Sequence, residues 1–349
     1  MRKLASIQRI WKIEPIEGAD RIELAHVLGW QCVVNKGQFK EMDLAVYFEI
    51  DSFLPVCEPF EFLRKSSYKK SDIMGEGFLL RTMKFKGQIS QGLLLPLAIF
   101  PLPDDMRLGA DVTTLLGVRK WEIEERATTG GTVIGKLPNG VPHTDETRIQ
   151  TNPDLLRQFD QYMYYITTKM DGSSHSLFVD DEGTVHVCGH NFEYKDDGSS
   201  AFYEFVKKNG WIEKLREFWE RNKGSLCIQG EFCAPGIQKN RLKLTRPAWY
   251  VFTVIKNQRR VIMPEMVWIC DKLGLEHVPI EESGVGLALK YPTVEDLLRR
   301  AEGEYPNGGQ KEGIVIRTVF PVEADTESGY LSIKVINNQY LLMNSKNEK

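Results

Sequence analysis

Short apolar runs separated by turn residues fill the first hundred residues, and this pattern strongly constrains how the chain folds. The runs cover residues 5–13, 21–27, 31–34, 44–48, 78–82 and 92–95. Turn-forming residues break the pattern between them, among them Pro15, Gly29, Gly37 and the glycines of residues 75–77. Several strands this short, packed into so little sequence, predict a small β-barrel.

We favour an oligonucleotide-binding (OB) barrel for residues 1–115, and a generic barrel that only supports the rest of the chain is the alternative. The next stretch is rich in Gly, Thr and Pro, which predicts a linker or mobile loop over residues 116–142. A second domain is expected over residues 143–349, because 349 residues exceed one typical hydrophobic core.

Strands and amphipathic helices alternate in the second domain. Helical periodicity appears over residues 201–210, 211–222, 263–273 and 294–302. Gly210, Gly224 and Gly274 follow three of these segments, where they are expected to end the helices.

Composition gives little indication of a partner. The net charge is −3, so a nucleic-acid site would have to rest on local clusters such as Lys239, Arg241, Lys243 and Arg246. The six cysteines lack Cys-x-x-Cys spacing, which favours reduced thiols in the cytoplasm or another reducing compartment. We see no targeting segment and no apolar run long enough for a membrane, so we expect a soluble monomer.

The segment Lys169-Met170-Asp171-Gly172 is the main chemical signal. Lysine attacks phosphorus only as a free amine, and its ordinary pKa near 10.4 keeps it protonated at neutral pH. Burial, a nearby cation or a bound metal lowers that pKa. Apolar residues flank Lys169, which predicts a buried strand that ends in a turn, with Gly172 permitting the tight backbone. An ordinary Asp-Gly hairpin turn is the alternative.

Three carboxylates lie on separate segments, each beside an apolar run: Asp171, Glu231 and Glu312. Oxygen ligands of this kind suit Mg²⁺ or Mn²⁺, which bind through a few carboxylates together with substrate phosphates. For each residue taken singly, a solvated carboxylate at a strand end is the alternative.

Two further residues have plausible nucleotide contacts. Phe252 lies in an apolar run and offers a face for stacking on a base, although core packing explains it equally well. Lys334 alternates with apolar residues, and a cation there could hold a phosphate and lower the pKa of Lys169. A lysine that faces solvent is the alternative.

Taken in order, these segments resemble five motifs (I, III, IIIa, IV and V) of the covalent nucleotidyltransferases, the superfamily of ATP-dependent ligases and RNA capping enzymes. They contain, respectively, Lys169, Glu231, Phe252, Glu312 and Lys334. The resemblance implies an α+β fold, with an OB-type barrel followed by a nucleotidyltransferase domain of antiparallel sheets and flanking helices.

The resemblance also implies roles for these residues. Lys169 would carry AMP from ATP, and Lys334 would contact the α-phosphate as a second catalytic residue. Glu231 would bind the ribose hydroxyls and the metal's water shell. Asp171 and Glu312 would serve mainly the Mg²⁺ or Mn²⁺ shell.

The chain departs from the family pattern at two places. Relatives show Lys-x-Lys in the fifth motif, whereas Ile336 occupies the second position here. Relatives often carry Ser-Arg-Asn where this chain has Gly-His190-Asn191, and histidine lacks the permanent charge of arginine. The resemblance still assigns Asn191 to the nucleotide, and Arg148 to a nucleotide or RNA phosphate.

The flanking sequence favours one branch of the superfamily. Only 15 residues follow Lys334, too few for the trailing barrel of capping enzymes and most DNA ligases. Ser174 stands where those enzymes tend to have arginine. The leading barrel resembles that of the RNA ligases that include the Naegleria and Deinococcus enzymes.

This resemblance implies an ATP-dependent RNA ligase that joins 3′-hydroxyl and 5′-phosphate ends through lysyl-AMP and an adenylylated 5′-phosphate. The expected partner is RNA, or a nicked duplex with an RNA 3′-hydroxyl strand. A DNA-nick ligase without RNA preference and a non-catalytic RNA- or tRNA-binding protein are the alternatives.

Overall fold

A computed structural model describes residues 2–103, 105–121 and 131–346. These residues divide into two units, described separately below. The first unit lies within Met1–Glu124, Ile149–Pro153 and Asn338–Lys349, and the second within Glu125–Arg148 and Asp154–Asn337. The α-helices in chain order are α1 (Arg64–Ser67), α2 (Leu155–Gln158), α3 (Ala201–Lys208), α4 (Trp211–Asn222), α5 (Met263–Leu273), α6 (Leu287–Lys290), α7 (Val294–Arg300) and α8 (Asn338–Lys346).

The first unit is built from short strands, as the sequence predicts. They are β1 (Ala5–Pro15), β2 (Ile22–Val27), β3 (Trp30–Asn35), β4 (Leu44–Phe48), β5 (Ser52–Leu54), β6 (Tyr68–Ser71), β7 (Gly75–Leu79), β8 (Thr82–Phe85), β9 (Gln88–Gln91), β10 (Leu93–Pro96) and β11 (Arg119–Lys120). One sheet has the order β10-β4-β1-β2-β3, a second has the order β11-β5-β7-β6, and β8 and β9 form a hairpin.

Strand β1 organises the OB-type barrel because it pairs with two different strands along its length. Its first half pairs with β4 and its second half with β2, and the register shifts between Ile10 and Lys12. Such a bulge bends a strand and increases its twist, which a small barrel requires. Ile7 is buried in one core cluster with Val46, and Ile10 is buried in another with Trp30.

One predicted strand of this unit is wrong. Residues 78–82 do not form a single strand, because β7 ends at Leu79 and β8 begins at Thr82. The glycines of residues 75–77, predicted to break the chain, begin β7 instead. Gly77 lies within this strand and has no room for a side chain. A Cβ there would lie 2.5 Å from Cζ of Phe53 and 2.6 Å from the carbonyl oxygen of Leu54. Glycine is therefore a packing requirement at this position.

The second unit contains two sheets. Its strands are β12 (Val133–Lys136), β13 (Thr147–Arg148), β14 (Tyr164–Lys169), β15 (Ser173–Val179), β16 (Val185–Cys188), β17 (Phe192–Tyr194), β18 (Leu226–Cys233), β19 (Ala248–Lys256), β20 (Arg259–Arg260), β21 (Glu276–His277), β22 (Ile280–Gly284), β23 (Gly313–Thr318) and β24 (Ser332–Ile336). The larger sheet has the order β12-β17-β16-β15-β18-β19-β20, with β21 paired to β19. The smaller sheet has the order β13-β24-β23-β14-β22.

Helices α3, α4 and α5 cover the larger sheet with the apolar faces that the sequence predicts. Phe202, Leu215 and Ile269 are buried in one cluster with Trp249 and Ile228 of the sheet. The predicted bounds of α4 and α5 are confirmed. Gly274 adopts φ 68° and ends α5 in the left-handed conformation that glycine accepts without strain.

Both sheets are antiparallel except for two short parallel pairs, β13 with β24 and β19 with β21. Together with the helices and the leading barrel, they confirm the predicted α+β class. The predicted linker is interrupted by structure, since β12 pairs with β17. Residues 122–130 of that linker lie outside the described residues.

In the described part of the chain, no helix is both long and apolar enough to cross a membrane. The six cysteines are free, and five of them are buried.

The packing at Gly77 gives a test of the first unit. We expect Gly77→Ala to lower the free energy of unfolding by about 1–3 kcal/mol, because the methyl group overlaps the Phe53 ring and a backbone oxygen. Gly135→Ala is the matched control, since a Cβ there meets no atom within 4 Å. Thermal unfolding of both variants measures the effect, and equal midpoints would contradict this packing.

Candidate active site

Four of the predicted site residues line one cavity of the second unit. They are Lys169, Glu231, Phe252 and Lys334. Residues that were not predicted also line this cavity, among them Thr144, Glu146 and Arg317. Segments far apart in sequence therefore meet around the lysine.

Strand pairing in the smaller sheet explains how these residues converge. Strand β14 pairs with β23 so that Lys169 lies opposite Gly313, the residue after Glu312. Strand β23 in turn pairs with β24, with Lys334 opposite Val315. Gly313 has no space for a side chain, because a Cβ would lie 2.1 Å from the carbonyl oxygen of Val335. The two lysines thus lie on the strands that flank β23, and Glu312 directly precedes β23.

The closest contact at the centre of the site joins Lys169 to Glu312. Nζ of Lys169 donates to Oε2 of Glu312 at 2.9 Å, and the two side chains are 25% and 15% exposed. Burial disfavours the ammonium, but the field of Glu312, Glu231 and Asp171 outweighs burial and raises the pKa of Lys169 above its ordinary value. The expected lowering of this pKa is therefore wrong for the polypeptide by itself, because three carboxylates surround one amine.

Glu231 also carries an unusual pKa. Burial raises the pKa of its carboxyl group to about 7, with Glu312 and Asp171 adding to the shift, against the opposing effect of Lys169. Burial likewise raises the pKa of Glu312. The site thus holds more carboxylate charge than Lys169 alone compensates.

The backbone after the lysine is fixed by Gly172. Its N–H donates to Oε1 of Glu231 at 3.1 Å. A Cβ at Gly172 would lie 2.5 Å from the carbonyl oxygen of Phe232 and 2.7 Å from Sγ of Cys233. The residue does not adopt a positive φ, so close approach to β18 explains this glycine better than the predicted tight turn.

Asp171 is held by a buried arginine. Nη1 of Arg241 lies 2.5 Å from Oδ2 of Asp171, and the two side chains are 9% and 3% exposed. Sequence reasoning placed Arg241 in a basic cluster of possible phosphate contacts, whereas the structure shows an internal ion pair. No local signal links two residues that are 70 positions apart in sequence.

Tyr305 joins the two sides of the site. Its hydroxyl donates to the carbonyl oxygen of Lys169 at 2.7 Å and accepts from the N–H of Glu312 at 3.2 Å. The residue is buried, so its hydroxyl has little alternative to these partners. No motif in the sequence indicates this role.

Arg317 positions Phe252. The guanidinium carbon lies 5.6 Å from the centre of the Phe252 ring, and Nη1 donates to the backbone oxygen of Phe252. Arg317 is also paired with Glu146 at 2.7 Å. The Phe252 ring, half-buried on β19, is therefore fixed where it lines the cavity.

Four residues that the family resemblance singles out lie in different surroundings. His190 lines the cavity, with Nδ1 3.5 Å from Oγ1 of Thr144. Asn191 is exposed between β16 and β17 and is not among the lining residues. Arg148 is half-buried on β13 beside Lys334 of β24, also without lining the cavity. Ile336, in place of the second lysine of motif V, is buried.

Metal ligands were predicted at Asp171, Glu231 and Glu312. In the described ranges, no three His, Cys, Asp or Glu side chains are arranged to hold a metal ion by themselves. Glu231 and Glu312 nevertheless place carboxylates around Lys169, and Mg²⁺ commonly uses only one or two carboxylates together with waters and phosphates.

Comparison with known proteins agrees with this geometry. A family model described as an OB-fold domain matches residues 4–97, and a family model described as RNA ligase matches residues 163–336. A search of curated proteins gave no match.

Solved structures of Naegleria gruberi RNA ligase share the fold. A variant with AMP and Mn has a TM-score of 0.87 at 33% identity, covering 97% of this chain and 98% of that chain. A variant with ATP and Mn gives the same values. The form with PPi has a TM-score of 0.86 at 33% identity, covering 100% of this chain and 99% of that chain.

A leading OB domain, followed by a domain of antiparallel sheets with a lysine in its cavity, defines a nucleotidyltransferase. Sequence identity of 33% to Naegleria gruberi RNA ligase, over nearly the whole length of both chains, identifies the particular family. The chain belongs to the RNA ligase family, in the branch with an N-terminal OB domain, and is an enzyme of that family.

The raised pKa of Glu231 leads to a pH-dependent stability. Its folded-state pKa of about 7 exceeds the unfolded value near 4.3, so this carboxyl favours the folded state at low pH. That contribution is lost as the pH rises towards 7, by at most about 4 kcal/mol. We therefore expect Glu231→Gln to raise the thermal midpoint over wild type by more at pH 8 than at pH 5, both in EDTA.

Glu217→Gln is the control for this comparison, because Glu217 lies on α4 with its side chain 64% exposed. Its effect is expected to be small at both pH values. A Glu231→Gln difference that does not change with pH would contradict the shifted pKa.

Proposed function

We propose that this chain is an ATP-dependent RNA ligase that seals 3′-hydroxyl and 5′-phosphate ends through a lysyl-AMP intermediate on Lys169. The observation that carries the proposal is the placement of the Lys169 amine, held by Glu312 among three carboxylates in a cavity with Phe252 and Lys334. Naegleria gruberi RNA ligase is known with ATP, with AMP and with PPi. These are the starting, transferred and leaving groups of an adenylyl transfer.

The carboxylates fit a divalent cation. Naegleria gruberi RNA ligase is known with Mn, and Glu231 and Glu312 supply oxygen donors of the type that Mg²⁺ and Mn²⁺ prefer. Burial, with a smaller contribution from neighbouring carboxylates, raises the pKa values of both groups. When bound, such a cation would neutralise carboxylate and phosphate charge and so remove the stabilisation of the Lys169 ammonium.

In the first step, Nζ of Lys169 attacks the α-phosphorus of ATP, an N–P bond forms, and the bond to pyrophosphate breaks. The amine must lose its proton for this attack, and Oε2 of Glu312 is an acceptor 2.9 Å away. Lys334 lines the same cavity and contacts the α-phosphate, where its charge balances the developing negative charge.

The remaining cavity residues hold the nucleoside. Phe252 stacks on the adenine, and the contact with Arg317 keeps its ring in one orientation. Glu231 accepts hydrogen bonds from the ribose hydroxyls or from metal-bound water, and Asp171 contributes to the same water shell. Asn191 and Arg148 lie outside the cavity lining, so we assign them to bound RNA or to the nucleotide only after a rearrangement.

In the second step, AMP passes from Lys169 to the 5′-phosphate of a polynucleotide. In the third, a 3′-hydroxyl attacks that activated phosphate and AMP leaves. We propose that the substrate is a nick in a duplex whose 3′-hydroxyl strand is RNA. Membership of the RNA ligase family and the leading OB domain support this choice, and a 2′-hydroxyl distinguishes RNA from DNA at the joining end.

Two nicked duplexes test the substrate. They differ only in whether the terminal nucleotide of the 3′-hydroxyl strand is ribose or deoxyribose, and each is incubated with ATP and Mn²⁺. We expect the ribose end to be sealed at least about 100-fold faster, because a site built around a hydroxyl rejects its absence strongly. Gel analysis of the joined strand measures both rates.

Two variants accompany this assay. Lys169→Ala should seal neither duplex, whereas Lys208→Ala, at an exposed position of α3, should behave as wild type. Equal sealing of both duplexes would favour a DNA-nick ligase without RNA preference. Binding without sealing by the wild type would favour a non-catalytic RNA-binding protein.

A further inference from the structure

A strongly basic loop follows β18, and we refer to residues 234–247 as the basic loop. It contains Lys239, Arg241, Lys243 and Arg246 and no acidic residue. The whole chain carries a net charge of −3, so this charge is a local feature and not part of a general basicity.

The basic loop is attached to the turn that carries the nucleophile. Arg241 pairs with Asp171, and Nε2 of Gln238 donates to the carbonyl oxygen of Gly172 at 3.3 Å. Leu242 is buried in a cluster with Met170, the residue directly after Lys169. The loop therefore lies directly beside the lysine.

The backbone of the basic loop is strained and firmly held. Gln238, Asn240 and Lys243 adopt φ values of 48°, 43° and 51°, a region that residues other than glycine seldom occupy. The side chain of Asn240 compensates with two hydrogen bonds to the backbone of Leu244, at 2.9 and 3.0 Å. Such strain is typical of functional sites whose groups must be presented in one arrangement.

The four cations of the basic loop differ in burial. Lys239, Lys243 and Arg246 are all exposed, whereas Arg241 is largely buried against Asp171. Three exposed cations therefore belong to a loop that is itself attached beside Lys169. Lysine and arginine side chains are the groups that commonly contact the backbone phosphates of polynucleotides.

We propose that the basic loop binds backbone phosphates of the polynucleotide whose 5′-phosphate receives AMP. This inference rests on the proposed ligase function and names the surface that brings its second substrate to Lys169. Phosphate contacts of this kind position a strand without reading its sequence. The loop therefore acts after the lysine has been adenylylated, and reaction with ATP does not require its exposed cations.

The test removes the three exposed charges together, as Lys239→Gln, Lys243→Gln and Arg246→Gln in one protein. Labelling of the protein by α-labelled ATP should stay within about twofold of wild type. Affinity for a nicked RNA duplex, measured by fluorescence anisotropy, should fall roughly tenfold or more. The dependence of log Kd on log salt should decrease by about 2–3, as expected when three phosphate contacts are lost.

Sealing of a nick that already carries AMP on its 5′-phosphate isolates the later steps, because it needs no ATP. This reaction should weaken in the triple variant in parallel with binding. The matched control is Lys208→Gln, Arg216→Gln and Arg221→Gln in one protein, which removes the same charge from exposed positions on α3 and α4. It should leave both readouts close to wild type.

Each outcome decides between explanations. Equal loss of RNA affinity in both triple variants would overturn the proposal, since total charge and not the basic loop would then matter. Loss of labelling by ATP in the loop variant alone would also overturn it and assign these cations to the nucleotide's phosphates. A wild-type protein that takes no label from ATP would instead contradict the proposed ligase function.

Discussion

The site depends on one contact, the hydrogen-bonded ion pair between Lys169 and Glu312 at 2.9 Å. The Lys169 amine lies among buried carboxylates, of which Asp171 is also paired with Arg241, and these carboxylates in turn keep the amine protonated. Neither the amine nor the carboxylates would be favourable alone in a partly buried site, because an unpaired charge there is costly. The arrangement is suited to a partner that adds both positive charge and phosphate, as a metal nucleotide does.

The surrounding fold keeps this pair in register. Three adjacent strands bring Lys169, Glu312 and Lys334 together, and Tyr305 bonds the backbone on both sides of the pair. Close packing leaves no room for a side chain at Gly172 or at Gly313. The chemistry therefore rests on rigid backbone geometry as much as on the identity of the charged groups.

The sequence was sufficient for features that depend on local pattern or on motif order. Helix bounds such as 211–222, the short strands of the leading barrel and the resemblance to RNA ligases all agree with the structure and the comparisons. Features that depend on contacts between distant segments were not predictable. The pairing of Asp171 with Arg241, the bridge at Tyr305 and the raised pKa of Lys169 all follow from neighbours that only the folded chain supplies.

The most direct test of this account is to locate the adenylyl group on the protein. The purified chain is incubated with ATP and Mn²⁺ without RNA, digested under conditions that preserve a phosphoramidate bond, and mapped by mass spectrometry. We expect AMP on the peptide that contains Lys169, and none after Lys169→Ala. AMP on another residue, or sealing of nicked RNA by the Lys169→Ala protein, would contradict the assignment of Lys169 as the nucleophile.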